Sequence, residues 1–260
     1  MTTETTDHHQ ALPLTGERTV PGIPEENYWF CRHEVVYQAL LEHCVDAVVL
    51  DAGCGEGYGA DLVADRAHRV IALDYDAVTV THVARRYPRV DVVRGNLAAL
   101  PLATAGVDVV LNFQVVEHLW DQPGFLAECA RVLRPGGRLL LSTPNRLTFS
   151  PGRDTPLNPF HTREFSPAEL HRLLVDAGFA VETLSGLYHG PRLRALDAGH
   201  DGSLVQAQVD AVLSGQPWPE ALLADVASVT TADFELRPAR PEHPGDLDDS
   251  LDLIAVAVRS

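Results

Sequence analysis

Val48-Val-Leu-Asp51-Ala-Gly53-Cys-Gly55-Glu-Gly57-Tyr-Gly59 is the stretch on which the fold turns. An apolar run ends in an acid, four glycines follow at every second position, and a helix is expected over 59–67. Alternating glycines let the backbone turn tightly and let a ligand approach with no Cβ in the way. The helix N-terminus behind the loop offers N–H groups without intrahelical partners. Outward from the loop, short apolar strands are expected at 48–50, 70–73, 90–93, 107–111 and 139–142. Helices are expected at 32–44, 77–86, 122–133 and 166–177. Asp121 is a natural N-cap, Ser166 with Glu169 forms a capping box, and Arg134-Pro-Gly-Gly137 ends a helix. Apolar strands alternating with helices specify a parallel sheet covered on both faces. Leu251 to Val258 reads as a last strand. Between about Gly190 and Ser250 the rhythm breaks, with helices expected at 203–213 and 219–229. We read residues 1–12 as a flexible tail, 13–260 as one domain, and 190–250 as an insertion or lid on its substrate side.

The chain of 260 residues has 45% hydrophobic and 22% charged residues, a globular composition that can bury a sizeable core. No apolar run approaches the roughly 20 residues of a membrane span, and Met1 to Gln10 lacks the basic start and apolar core of a secretory signal. The net charge of −16 repels phosphate backbones, which argues against a nucleic-acid partner. Four cysteines without CxxC spacing exclude a zinc ribbon and suit a reduced, cytoplasmic protein.

Two nucleotide readings compete at the glycine loop. Gly55-Glu-Gly57-Tyr-Gly59-Ala60 loosely fits a dinucleotide pattern, which would receive a pyrophosphate. Asp51, at the strand end before the first glycine, would repel pyrophosphate but attract the ammonium of an amino-acid-like ligand. S-adenosylmethionine (SAM) has that ammonium and no phosphate. Asp74 ends the second strand about 20 residues on, where an acid commonly takes ribose hydroxyls; Asp76 could serve instead or cap the next helix. Tyr75 falls on the same side. In Arg94-Gly-Asn96-Leu97, the Asn96 amide could meet the adenine amino group and Leu97 could stack on the ring. Tyr28-Trp-Phe30 followed by Arg32-His33 could cap the cofactor, with Arg32 a candidate for the methionine carboxylate, although Trp29 and Phe30 could equally be only core anchors of the first helix.

A second constellation follows the fourth strand at Asn112-Phe-Gln114-Val-Val-Glu117-His118. Strand C-termini are where open α/β sheets bind ligands. Glu117 and His118, with His161 after the fifth strand, suit a divalent cation such as Mg²⁺ or Mn²⁺. They could instead form a metal-free general base, or a structural pair. Gln114 could add an amide oxygen to a metal or face the cofactor. Arg153, Asn158, His189 and Arg192 are candidate acceptor-binding residues.

The order D-x-G-x-G-x-G, L-D, G-N-L-x-x-L-P, V-D-V-V-L-N-F-Q-V-V-E-H and V-L-R-P-G-G resembles class I SAM-dependent methyltransferases over residues 47–188 and the last strand. That family usually has Asp where this chain has Asn96. The resemblance implies a Rossmann-like α/β fold, a seven-stranded sheet with its last strand antiparallel, helices on both faces, and SAM as cofactor. The E-H pair with a later His resembles metal-dependent members whose motif is E-x-x-E-H; Gln114 replaces their first Glu and carries no charge. Leu14-Thr-Gly-Glu-Arg-Thr-Val-Pro, Glu26-Asn-Tyr-Trp-Phe, Ser150-Pro-Gly-Arg-Asp-Thr-Pro, Asn158-Pro-Phe-His161 and Asp248-Asp-Ser-Leu-Asp-Leu look like a narrower actinobacterial group. Its mycobacterial members are associated with methylglucose lipopolysaccharide assembly as candidate sugar 6-O-methyltransferases.

The expected activity is therefore methyl transfer from SAM to the 6-hydroxyl of a glucose unit in a saccharide or lipid-linked acceptor. An O-methyltransferase of a small aromatic or quinone precursor is the alternative, and a non-catalytic SAM-binding module a further one. The first alternative predicts an apolar pocket under the lid. The second predicts loss of the acid-base cluster, whereas Glu117, His118 and His161 are present.

Overall fold

The computed structural model describes residues 18–239 and 244–260; the expected tail at 1–12 lies outside the described residues. Five parallel strands carry the glycine loop and its neighbours: β1 (Val48–Ala52), β2 (Arg69–Asp74), β3 (Asp91–Arg94), β4 (Val107–Phe113) and β5 (Leu133–Pro144). β6 (Phe179–His189), β7 (Phe234–Pro238) and β8 (Asp252–Arg259) complete one sheet in the order β3-β2-β1-β4-β5-β8-β6-β7. β8 runs antiparallel to both β5 and β6. β1 pairs with β2 on one side and β4 on the other, so the strand order reverses there. That reversal opens a crevice at the strand C-termini. It sets the loop after β1 beside the turn after β4.

Both faces of the sheet are buried because alternate residues of a strand point to opposite sides. Val49, Val109, Leu111, Leu140 and Val256 join one apolar cluster. Leu50, Val110, Leu139, Leu141 and Ala255 join the other. The first is covered by α1 (Asn27–Leu40), α2 (Tyr58–Val63) and α3 (Ala77–Arg86), and the second by α4 (Gln122–Val132) and α6 (Pro167–Asp176); α5 (Arg146–Phe149) is a single turn. The expected caps form: Asp121 accepts from the Gly124 N–H, and Ser166 and Glu169 close a reciprocal box.

Among the described residues the sheet has eight strands rather than the expected seven. The extra one is β7, inside the stretch read as helical. It is short, carries Glu235 and Arg237, and ends in Pro238, which suits an edge strand with one partner. The two helices expected there are α8 (Leu204–Ser214) and α9 (Glu220–Ala227), preceded by α7 (Pro191–Gly199). Leu193, Leu204, Leu222 and Val226 bury into the same cluster as Tyr28 and Val36 of α1. The Asn27 side-chain amide donates to the carbonyls of Val226 and Val229, fixing α9 against α1.

Candidate functional site

A cleft of about 600 Å³ opens at the β1/β4 reversal. Its walls come from the glycine loop, the ends of β2 and β4, His33 and Tyr37 of α1, and the loop over 159–162. None of the described residues between 190 and 250 lies on these walls.

The loop is shaped by two close approaches. Gly53 has φ +95°, and a Cβ there would sit 2.7 Å from the Val115 side chain. Gly57 has φ +98° with Val83 2.9 Å from where its Cβ would be. Any other residue at either place would be strained twice over, by backbone and by space. Asp74 braces the loop: one carboxylate oxygen accepts the Gly55 N–H at 3.1 Å and the other the Asp76 N–H at 3.0 Å. Its carboxyl faces the cleft, and burial raises its pKa. Asp76 instead caps α3 and pairs with Arg18.

Gly53, Gly55, Asp74, Tyr75, Leu97 and Gln114 all line the cleft. Asn96 lines an adjoining surface recess with Tyr75 and Arg94. Gly57 is turned toward α3. Asp51 lies beneath the loop, 1% exposed, where burial lifts its carboxyl to about 7 and the Tyr37 hydroxyl donates to it at 3.3 Å.

Arg32 is not on the cleft. It is 3% exposed, and its guanidinium donates to both oxygens of Asp252 at 2.7 and 2.6 Å and to the Leu251 carbonyl. The bidentate partner expected from a methionine carboxylate is a side chain of β8. The next residue, His33, faces the cleft instead, as do Arg18, Thr19 and Tyr58. Of the Arg32-His33 segment that could cap the cofactor, it is His33, not Arg32, that lines the cleft. Sequence reading gave no site role to Arg18, Thr19 or Tyr58.

The second constellation assembles. β4 ends at Phe113, Gln114 takes a left-handed φ of +57°, and a 3-10 turn over Val116–His118 follows. Such a strained non-glycine conformation is typical of functional sites. The turn brings Glu117 and His118 to His161, with one ligand atom of each lying within 4.8 Å of the others. Glu117 is 1% exposed, accepts from the Thr143 hydroxyl at 2.9 Å, and is lifted by burial to about 8. The His118 and His161 rings meet edge to face at 4.8 Å.

The loop over 158–164 is stapled to that turn. The Thr162 and Arg163 N–H groups both donate to the Glu117 carbonyl. His118 Nδ1 lies 3.0 Å from the Phe160 carbonyl, so Nδ1 is its N–H nitrogen. Asn158 joins the site, its amide nitrogen 3.0 Å from His161 Nε2. Arg153, His189 and Arg192 do not. Arg153 is exposed on the loop after α5. His189 is held between the Tyr28 hydroxyl and Asp197, and Arg192 is engaged by Asp233 and Ser228. His189 points into the α1/α7 packing because β6 ends there and not at the cleft, while Arg192 stays exposed at the start of α7. Trp120 and Phe160, both unforeseen, stand on the cleft wall beside His118 and His161, 91% and 47% exposed.

A glycine loop at a sheet reversal, an acid closing the second strand, and a carboxylate-imidazole cluster across the cleft define a nucleotide-cofactor enzyme. The family described as a methyltransferase domain matches residues 50–141. A probable S-adenosylmethionine-dependent methyltransferase of Mycolicibacterium smegmatis is 66% identical over 249 residues, 96% of each chain. A ubiquinone biosynthesis O-methyltransferase of Sinorhizobium medicae is 30% identical over 158 residues, 55% of this chain and 64% of that one. A SAM-dependent methyltransferase structure from Thermotoga maritima, described as a possible histamine N-methyltransferase, shares the fold with a TM-score of 0.58 at 16% identity, covering 89% of this chain and 93% of that one. The chain belongs to the SAM-dependent methyltransferases and is an enzyme of that class, with SAM as methyl donor.

Proposed function

We propose that the methyl group goes to a hydroxyl of a saccharide, the primary 6-hydroxyl of a glucose unit, at the Glu117, His118 and His161 cluster. The observation that carries this reading is the meeting of those three side chains beside the cleft, next to the exposed Trp120 ring. A pyranose presents an apolar C–H face and a rim of hydroxyls. Trp120 and Phe160 offer flat surfaces to the first, and the His118 and His161 imidazoles on the same wall offer polar groups to the second. A primary hydroxyl is the least hindered sugar oxygen for in-line attack on the methyl carbon, and alignment of that attack supplies much of the rate.

A sugar hydroxyl is a weak nucleophile at neutral pH, so its proton must be handled. The donor set fits a divalent cation: a buried carboxylate with no ion-pair partner among the described residues lies near two imidazoles. Glu117, His118 and His161 would hold Mg²⁺ or Mn²⁺, with the Gln114 amide oxygen as a neutral addition. When bound, such an ion lowers the pKa of a coordinated hydroxyl. His118 keeps its proton on Nδ1, which leaves Nε2 as the nitrogen with a lone pair.

On the donor side, Asp74 takes the ribose hydroxyls while bracing Gly55. Asp74→Ala should weaken SAM binding about 10- to 100-fold, since hydrogen bonds to charged groups are worth roughly 1.5–3 kcal/mol. Calorimetric affinity within twofold of the parent would remove Asp74 from the cofactor site. The reaction is assigned to the cytoplasm, a reading supported by four free, buried cysteines. No helix among the described residues is long and apolar enough to cross a membrane. The net charge of −16 supports an acceptor other than nucleic acid.

Labelled SAM incubated with glucose oligosaccharides and with phenols, followed by linkage analysis, tests the acceptor. Label on the 6-oxygen is the expected result, and Trp120→Ala should then raise the KM for the saccharide about 2- to 10-fold, in line with roughly 0.5–1.5 kcal/mol for a lost aromatic contact. Label on phenols alone would favour the second reading, an aromatic or quinone-precursor acceptor, which the similarity to a ubiquinone biosynthesis O-methyltransferase supports.

A further inference from the structure

Glu164 lies outside every motif in the sequence, yet it is one of the most enclosed carboxylates in the molecule. The residue is 3% exposed, and one oxygen, Oε1, lies 2.7 Å from His161 Nδ1. The other, Oε2, is buried and has no hydrogen-bond partner among the described residues. A buried carboxylate with one oxygen unpaired costs stability, and an apolar side chain would fill the same space more cheaply. A residue kept at such a cost is a candidate for a functional role.

The hydrogen-bond pattern around His161 fixes that role. The Asn158 side-chain oxygen Oδ1 accepts the Phe160 N–H at 3.0 Å, so the Asn158 side-chain amide nitrogen is the atom facing His161 Nε2. An amide nitrogen donates, so Nε2 accepts. Nδ1 therefore carries the proton and donates it to Glu164. Phe149 stacks on the His161 ring at 5.5 Å, and His118 meets it edge on, so the ring has little freedom to turn.

We infer that Glu164 is a positioning residue that holds His161 in its Nδ1–H tautomer, so that Nε2 keeps the lone pair that the Asn158 amide occupies in this structure and that an acceptor hydroxyl or a cation would take by turning that amide aside. The inference rests on the reading that His161 serves the reaction. Where Nε2 takes the acceptor proton directly, the bookkeeping closes within the site. The hydroxyl O–H bond breaks to Nε2 and the oxygen forms its bond to the methyl carbon. The S–CH₃ bond breaks, its electron pair stays on sulfur, and the positive charge of the sulfonium reappears on the imidazolium beside the Glu164 carboxylate. Where Nε2 holds a cation, the same contact orients the ligand and raises its basicity, as carboxylates behind metal-bound histidines do.

The test compares Glu164→Gln, Glu164→Leu and His161→Gln with the double variant Glu164→Gln/His161→Gln. Glu164→Gln should lower kcat about 10- to 100-fold, leave the KM for SAM within twofold, and keep the melting temperature. Mn²⁺ affinity read by electron paramagnetic resonance, without turnover, should fall in step if a cation is held. Long-range ¹H–¹⁵N spectra should show the Nδ1–H tautomer in the parent and its loss in Glu164→Leu. The double variant should be no slower than His161→Gln alone, because the two residues act as one unit. Unchanged kcat in Glu164→Gln while His161→Gln is inactive would overturn the role of Glu164 alone. Full activity in His161→Gln would overturn the site reading and this inference with it.

Discussion

Glu117→Gln is expected to slow methyl transfer by orders of magnitude and to make the protein harder to unfold, relative to the parent, as the pH rises. Burial lifts the Glu117 carboxyl from an ordinary 4.5 to about 8. An unfolded chain releases that proton near 4.5, whereas the folded chain holds it until about 8. Within that window the unfolded state binds fewer protons, so this group lowers stability progressively as pH rises from about 4.5 to about 8. Glutamine does not titrate. The melting temperature of Glu117→Gln, relative to the parent, should therefore climb between pH 5 and pH 8. A gain of roughly 1–3 kcal/mol at the upper end is reasonable for relieving a buried charge, at about 2–4 °C for each kcal/mol in a chain of this size. The buried amide could subtract a constant amount, so the slope with pH is the decisive quantity.

Activity should move the other way. Removing the carboxylate from the acceptor side should cost about 10²–10⁴-fold in kcat, with SAM affinity nearly intact because Glu117 does not line the cofactor wall. Mn²⁺ should raise the melting temperature of the parent and leave the variant unmoved. Parallel melting curves across pH 5–8 would remove the buried-charge argument, and an active variant would remove the acceptor-side role. Full activity after exhaustive chelation would leave His161 acting as a base without metal.

Arg32→Ala tests a different claim, that Arg32 holds the fold and not the cofactor. Its guanidinium and the Asp252 carboxylate form a pair with side chains 4% and 0% exposed, tying α1 to β8. Removing one partner of a buried pair strands the other, at about 3–5 kcal/mol. A fall of about 6–20 °C in melting temperature is expected at 2–4 °C per kcal/mol. SAM affinity, measured at a temperature where the variant is folded, should stay within about threefold. Arg32→Met with Asp252→Leu should recover most of the loss, since apolar replacements of buried pairs are often neutral or better. A tenfold loss of SAM affinity in a fully folded Arg32→Ala would return Arg32 to the methionine carboxylate.

The sequence by itself determined the parallel half of the sheet and its loop. Val48-Val-Leu50, Val70 to Leu73 and Val107 to Leu111 are local apolar runs bounded by acids and glycines, and local patterns of that kind need no knowledge of partners. Asp121 and Ser166 were legible as caps for the same reason, because a cap bonds within its own first turn. Asp74, Glu117, His118 and His161 could be singled out because strand C-termini in such a sheet share one edge.

Tertiary structure alone decided which long side chains reach that edge. Arg32, His189 and Arg192 carry suitable chemistry, but a guanidinium or imidazole binds whichever partner the packing brings, and here Asp252, Asp197 and Asp233 arrive from distant segments. β7 escaped notice because an edge strand of five residues needs only one apolar face and one partner. Trp120 and Glu164 illustrate the same limit at the site. One is an apolar ring left in solvent and the other a carboxylate taken out of it. Residue type gives the opposite expectation for both, because burial is a property of the whole fold and not of the residue.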